Sequence, residues 1–303
     1  MNWIIILLFK IYFAVSVRLP GQTRMMFQQK ALRFAFRVGN GDVLNWASAH
    51  VGALTPPPID TTKHCPESDL FPNFSINDLA KAQHDLITEG FFVFADELDK
   101  NLVDRFLSQT ASLNLTGLEK EDVQKLDDLV PFGARYSHRQ KDLIELPLVQ
   151  KLLEDPVLNA CIESYLGKMA TLDQVSGWWS FPTEQADDKA AQLYHVDLDR
   201  IKWLKIFVYM TDVDDENGAH CYIPGSHNDV MKGKFGLRRH TDAEIFAHYG
   251  ADCEKVMSYP RGTVFIENTL GLHKGQRVKK GSRYVLQLQK SVSQFGYPNS
   301  QAQ

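Results

Sequence analysis

The sequence predicts a mainly β domain, closed or folded as two sheets, with helices gathered in front of it. Three observations carry this prediction. From Ala170 to Ser291, short runs rich in β-branched and aromatic residues alternate with turn signals. From Ser75 to Gly167, apolar residues recur at helical spacing instead. Strands and helices are therefore segregated along the chain, which argues against a βαβ fold.

The elements follow in order. Trp3 to Val17 is apolar apart from Lys10 and is too short to cross a bilayer of about 30 Å at 1.5 Å per residue. No positive segment precedes it and no small-residue cleavage site ends it, so a signal peptide is a poor fit. Lys10, Arg18, Arg24, Lys30, Arg33 and Arg37 make the region basic. Two expectations stand for it: a helix packed on the main domain or in a dimer interface, or peripheral membrane contact through residues 3–37. Three consecutive prolines in Val51 to Glu67 mark a stiff linker. The expected division is an apolar and basic extension over 1–50, a linker over 51–70, the main domain over 71–292 and a tail over 293–303.

Ser75 is a plausible N-cap for a helix closed by Gly90, and Phe91 to Phe94 reads as the first strand. Leu98 to Leu113 is a second amphipathic helix, and Leu146 to Leu166 holds two more, broken near Pro156 and ended by Gly167. Pro131 to Arg139 reads as an irregular loop in which Arg135, Tyr136, His138 and Arg139 are candidates to meet a ligand or simply face solvent. Expected strands are Gln174–Phe181, Leu193–Asp197, Trp203–Asp212, His220–Pro224, Gly262–Glu267 and Arg283–Ser291. Asn217-Gly218 gives a hairpin signal. In Trp203 to Thr211 one parity (Leu204, Ile206, Val208, Met210) is apolar and suits packing beneath helices. The other (Lys205, Phe207, Tyr209, Thr211) is mixed and suits a polar cavity.

Composition narrows the function. The chain has 303 residues, 44% of them apolar, and a net charge of −4, so nothing points to nucleic acid. Its four cysteines are widely spaced and fit neither a disulfide framework nor a zinc site. That pattern favours a reducing compartment, the cytoplasm, with membrane contact as the open addition.

Chemistry concentrates in Tyr194 to His227. On an extended strand His195 and Asp197 point to one face, a nitrogen and an oxygen donor that make two-thirds of a facial iron site. His273 is available as the third ligand, and Arg283 follows in a strand-like run. His195-Val-Asp197, the run KIFVYMTDVDDENGAHCYIPGSH and GTVFIENTLGLHKG with an arginine beyond it resemble the phytanoyl-CoA dioxygenase (PhyH-like) family. The resemblance covers roughly Ser75 to Ser291.

It implies a double-stranded β-helix (jelly-roll, cupin-like) and an Fe(II)- and 2-oxoglutarate-dependent oxygenase that consumes O2. It implies that His195, Asp197 and His273 hold the metal and that Arg283 holds the distal carboxylate of 2-oxoglutarate by a bidentate pair. Arg277 is the rival, but it lies in a polar turn. Phe207 and Lys205 are further candidates beside the cosubstrate; for Lys205 the alternative is a rim position. A carboxylate at 197 implies hydroxylation or another oxidation rather than halogenation.

Several neighbours are weighed against these roles. His227 is expected to be structural, His220 to lie near the ligands, Asp199 to share the parity of Asp197, and Glu267 to support the site. His227 to Pro260 is a long insertion before the next core strand, of the kind that often forms a lid. In it Lys232, Lys234, Arg238, Arg239 and His240 could face solvent or an anionic substrate. The expected substrate is a small or lipid-like metabolite. The competing readings are a cupin-like metalloenzyme without 2-oxoglutarate and a non-catalytic scaffold.

Overall fold

The computed structural model describes residues 2–16, 18–19, 21–39, 47, 65–117, 123–126, 134–184, 190–232, 234–293 and 295. Two helices lead, α1 (Asn2–Ser16) and α2 (Gly21–Gly39). Next, α3 (Ile76–Thr88) starts at a capping box. The Ser75 hydroxyl accepts from the Asp78 amide, and the Asp78 carboxylate accepts from the Ser75 amide at 2.9 Å. Gly90, at φ +91°, then turns the chain into β1 (Phe91–Val93).

The chain continues through α4 (Lys100–Ala111), β2 (Leu115–Gly117), β3 (Val123–Gln124) and β4 (Arg135–His138). Helices α5 (Gln140–Leu143), α6 (Pro147–Glu154) and α7 (Pro156–Leu166) follow. Pro147 and Pro156 open α6 and α7 where the missing N–H has no intrahelical partner anyway. Asp155 breaks the pair and caps α7, accepting from the Leu158 amide at 2.8 Å.

The β half comprises β5 (Thr171–Ser180), β6 (Trp203–Tyr209) and β7 (His220–Tyr222), then α8 (Ser226–Met231), α9 (Asp242–Tyr249) and β8 (Lys255–Met257). It ends with β9 (Val264–Glu267), β10 (His273–Gly275) and β11 (Arg283–Ser291). Among the described residues the strands form two antiparallel sheets, ordered β1-β9-β6-β11-β5-β4-β2-β3 and β10-β7-β8. Leu204, Ile206 and Val208 of β6 pack into one core with Leu86 of α3, Phe106 of α4, Leu152 of α6 and Leu158 of α7. Each such side chain, fully buried, contributes about 2 kcal/mol. The opposite face of β6 is turned towards a cavity between the sheets. The mixed parity is the inward one.

The structure revises four expectations. Pro131 to Arg139 is not all irregular: Arg135 to His138 is a strand on β5, with Arg135 opposite Ser180. Polar side chains on both of its faces conceal its alternation in the sequence. Leu193 to Asp197 is not a regular strand; it is held by isolated bridges, Tyr194 to His240 and His195 to His273. The long insertion contains α8, α9 and β8 rather than a bare loop. Several expected strands are shorter, β6 ending at Tyr209 and β9 starting at Val264.

Residues 51–64 of the expected linker lie outside the described residues, as does the tail apart from Ser293 and Phe295. The N-terminal helices pack on the β domain. Phe9 of α1 with Leu32 and Phe36 of α2 joins Tyr194, Val196 and Trp203 in a second core behind the His195 segment. Among the described residues no helix is long and apolar enough to cross a membrane.

Candidate active site

His195 and His273 are brought face to face by a reciprocal bridge. The amide of each donates to the carbonyl of the other at 3.0 Å, and their ring centroids lie 4.2 Å apart. The amide of Asp197 donates to the carbonyl of Thr269 at 2.8 Å, which fixes the next inward position. His195 Nε2 lies 3.9 Å from Asp197 Oδ1, and His273 Nε2 lies 3.5 Å from Asp197 Oδ2. The three donor groups fall within 4.8 Å of one another.

Both imidazoles are oriented by their other nitrogen. His195 Nδ1 donates to the Leu193 carbonyl and His273 Nδ1 to that of Gly271, each at 2.9 Å. Each Nε2 is thereby the nitrogen turned towards the cavity. Burial, with His273 alongside, holds the His195 imidazole well below its usual range, so it is neutral. Burial alone would raise the Asp197 carboxyl, but Lys205 and the two imidazoles outweigh it and hold it well below the carboxylate range. Burial alone would lower the His273 imidazole, but the hydrogen bond and charge of Asp197 outweigh it and raise it, so a bound metal would displace its proton. Two imidazoles and a carboxylate are a donor set suited to iron(II).

The end of the cavity that carries Arg283 is built from a row of three strands. Ser180 on β5 lies opposite Arg283 on β11 and opposite Arg135 on β4. The Arg283 Nη2 donates to the Ser180 Oγ at 3.4 Å, while its buried Nε has no hydrogen-bond partner. The Arg135 guanidinium stacks over Trp178 at 3.9 Å. Burial and the neighbouring Arg283 bring its pKa down to about 10, so it remains charged at neutral pH. Gly275 faces the pair: a Cβ there would meet the Arg283 Nη2 at 3.3 Å. An unpartnered buried nitrogen, a second cation and a missing side chain make a cradle for a carboxylate.

Lys205 is buried, and its Nζ bridges Asp197 at 2.6 Å and Asp199 at 3.1 Å. It is therefore no rim residue. Phe207 lines the cavity, stacked on Phe265 at 5.1 Å and near His220 at 5.2 Å. His220 is committed elsewhere, its Nε2 lying 2.7 Å from the buried Glu267 Oε2. The rival Arg277 points away from the cavity, donating to the carbonyls of Thr183 and Glu184. His227 is structural, its Nε2 donating to the Ile87 carbonyl at 3.0 Å.

Of the four residues singled out between Pro131 and Arg139, only Arg135 lines the cavity. Arg139 pairs with Asp142, and His138 is bonded to the Asn114 carbonyl. Sequence reasoning missed the floor of the site. There the Arg200 Nε lies 3.0 Å from the Asp173 Oδ1, and Gln289 donates to the Asp173 Oδ2 at 3.3 Å. The inward parity of Gln287 and Gln289 on β11 was the available signal.

Residues 79–279 match the family model for phytanoyl-CoA dioxygenase (PhyH). The chain belongs to that family. As a PhyH-family protein it is an Fe(II)- and 2-oxoglutarate-dependent oxygenase. Its fold is similar to the carbocyclase SnoK of nogalamycin biosynthesis, with 16% identity, TM-score 0.52, and coverage of 74% of this chain and 87% of SnoK. It is likewise similar to EctD from S. alaskensis solved with 2-oxoglutarate and 5-hydroxyectoine, with 17% identity, TM-score 0.51, and coverage of 78% and 82%. No curated protein sequence matches the chain.

Proposed function

We propose that this PhyH-family oxygenase hydroxylates a small polar molecule, with His195, Asp197 and His273 holding the iron and Arg283 holding 2-oxoglutarate. The bound metal and cosubstrate would supply the oxidising power, with O2 consumed and succinate and CO2 released. The residues supply the rest. His195 and His273 present their Nε2 atoms because carbonyls occupy their Nδ1–H groups. Asp197 supplies the third donor, kept ionised by Lys205. Arg283 and Arg135, on either side of Ser180, orient the distal carboxylate. Phe207 and Phe265 wall the site against water.

A cavity of about 410 Å³ has to hold both cosubstrate and substrate. That volume is near the lower end of ligand sites, which run from about 300 to 1,000 Å³. Its far wall carries Gln174, Ser176 and Gln287. Size and polarity favour a small hydrogen-bonding metabolite over a lipid-like one.

The observation that carries the reading is the convergence of both oriented imidazoles on Asp197 in the cavity that Arg283 lines. Release of succinate from 2-oxoglutarate under air, with iron and without added substrate, tests it. The wild type should turn over slowly and His273→Ala should not. Iron binding without any succinate would favour a metalloenzyme that does not use 2-oxoglutarate, and no iron binding would favour a scaffold.

Peripheral membrane contact is a separate part of the proposal. Trp3, Ile4, Leu7, Leu8 and Ile11 of α1 are exposed, and so are six basic residues from Lys10 to Arg37. No acidic residue occurs in the first forty. An apolar face beside exposed positive charge suits an anionic lipid surface. Co-sedimentation with vesicles rich in phosphatidylserine supports this contact, and equal recovery without vesicles removes it.

A further inference from the structure

We propose that Arg239 is the residue that recognises the substrate, and that the substrate carries a carboxylate or phosphate group. This rests on the oxygenase reading above, and it names the substrate class for that same site.

The inference begins with the backbone. The His240 amide donates to the Tyr194 carbonyl at 2.8 Å, so the insertion is stitched to the residue preceding His195. Immediately after it Thr241 caps α9, with Glu244 completing the capping box. Arg238 and Arg239 lead into this anchored bridge, with Arg238 at a bend, and their side chains diverge. Arg238 points outward and is held by Glu244, its Nη2 2.7 Å from Oε1. Arg239 points inward and lines the cavity.

Its surroundings leave it unmatched. The Nη1 of Arg239 is buried without a hydrogen-bond partner, and among the described residues no carboxylate pairs with it. The other bases of the insertion are occupied or remote: Lys234 pairs with Asp229, and Lys232 is exposed. Only Arg239 of that set reaches the site.

Charge among the described residues of the cavity points the same way. Its described lining carries five cations, Arg135, Arg200, Lys205, Arg239 and Arg283. Against these stand three carboxylates, Asp173, Asp197 and Asp199, which leaves two positive charges in a protein whose net charge is −4. Iron(II) and the 2-oxoglutarate dianion cancel each other, so loading the site does not remove the excess. Asp173 answers Arg200, and Asp197 with Asp199 answers Lys205. Arg283 and Arg135 face the cosubstrate carboxylate. Arg239, across the site beside His195, is left for the substrate. A buried guanidinium nitrogen without a partner is costly, and an anionic substrate supplies one.

The test uses protein loaded with Ni(II), which does not turn over, and saturated with 2-oxoglutarate. Acetate and methyl phosphate are titrated separately at constant ionic strength while Tm is followed, with chloride as control. Wild type should be stabilised by at least one probe, and the stronger one identifies carboxylate or phosphate. Arg239→Gln should weaken that probe on the order of ten- to a hundredfold, the range of a lost charge-assisted contact. Arg239→Lys should retain part of the affinity, which separates charge recognition from damage to the fold.

No stabilisation of wild type beyond chloride, or equal affinity in Arg239→Gln, would overturn the proposal. The stabilisation by 2-oxoglutarate itself is read in the same experiment. If 2-oxoglutarate fails to stabilise wild type, the oxygenase reading falls. The Arg239-dependent response to the probes, read without 2-oxoglutarate, is then judged on its own.

Discussion

The Nζ of Lys205 lies 2.6 Å from the Oδ2 of Asp197, so a buried ammonium occupies the position beside the carboxylate that a metal would share. In the metal-free protein this one ammonium is shared by two acidic groups, since Asp199 lies 3.1 Å from the same nitrogen. Removing one partner of a buried pair typically costs about 3–5 kcal/mol. Lys205→Met should therefore destabilise the metal-free protein by about that amount. Ni(II) should recover part of the loss, because the cation takes over neutralisation of Asp197. Thermal unfolding with and without Ni(II) checks this; an equal loss in both states would contradict it.

Gly275 lies against the Arg283 guanidinium, with room for no side chain beyond a methyl group. Gly275→Val should push that guanidinium out of position and raise the KM for 2-oxoglutarate on the order of tenfold, the price of one lost charge-assisted contact. Iron affinity should be unchanged. Steady-state succinate release at varied 2-oxoglutarate measures the first, and metal titration the second.

Gly271 supplies the carbonyl that orients His273, and a Cβ at this position would overlap the Tyr222 hydroxyl. Tyr222 is fully buried and donates to the Asn268 carbonyl at 3.0 Å, so it has little freedom to yield. Gly271→Ala should cost about 1–3 kcal/mol, as overpacking does. It should also weaken metal binding by roughly tenfold or more through the displaced carbonyl. Denaturant unfolding and Ni(II) titration read the two effects separately.

His227 gives a pH dependence. Burial holds its imidazole below the ordinary range, partly offset by the Ile87 carbonyl. The nearby Tyr222 hydroxyl, across Gly90, is pushed well above its usual value by burial and stays neutral. Because the folded pKa is depressed, the unfolded chain takes up this proton first. Its contribution is present above the unfolded value of about 6.5 and is lost as pH falls through the folded pKa. Stability curves between pH 7 and 5 should be flatter for His227→Gln than for wild type. Identical slopes would contradict the assignment.

Much of this site was legible because strand parity converts spacing into direction. His195 and Asp197 are two apart on extended backbone, and the mixed face of β6 is the one turned to the cavity. Other parts were hidden for physical reasons. Strand β4 is polar on both faces, because Arg135 turns to a charged cavity while His138 is buried against Tyr284. Strand β10 has three residues and, among the described residues, pairs with β7 and the His195 bridge, leaving little periodicity to read. Nor could composition single out Arg239 from its basic neighbours. The bridge between His240 and Tyr194 does that, and it is a long-range contact.

The central claim is that one cavity holds iron through His195, Asp197 and His273 and 2-oxoglutarate through Arg283. The most direct measurement adds Fe(II) and then 2-oxoglutarate to the metal-free protein without oxygen and records the visible metal-to-ligand charge-transfer band. Wild type should develop the band. Asp197→Ala should lose it with loss of iron, and Arg283→Ala should need far more 2-oxoglutarate to reach it. A wild-type protein that binds iron but gives no band, or a band untouched in both variants, would contradict the account.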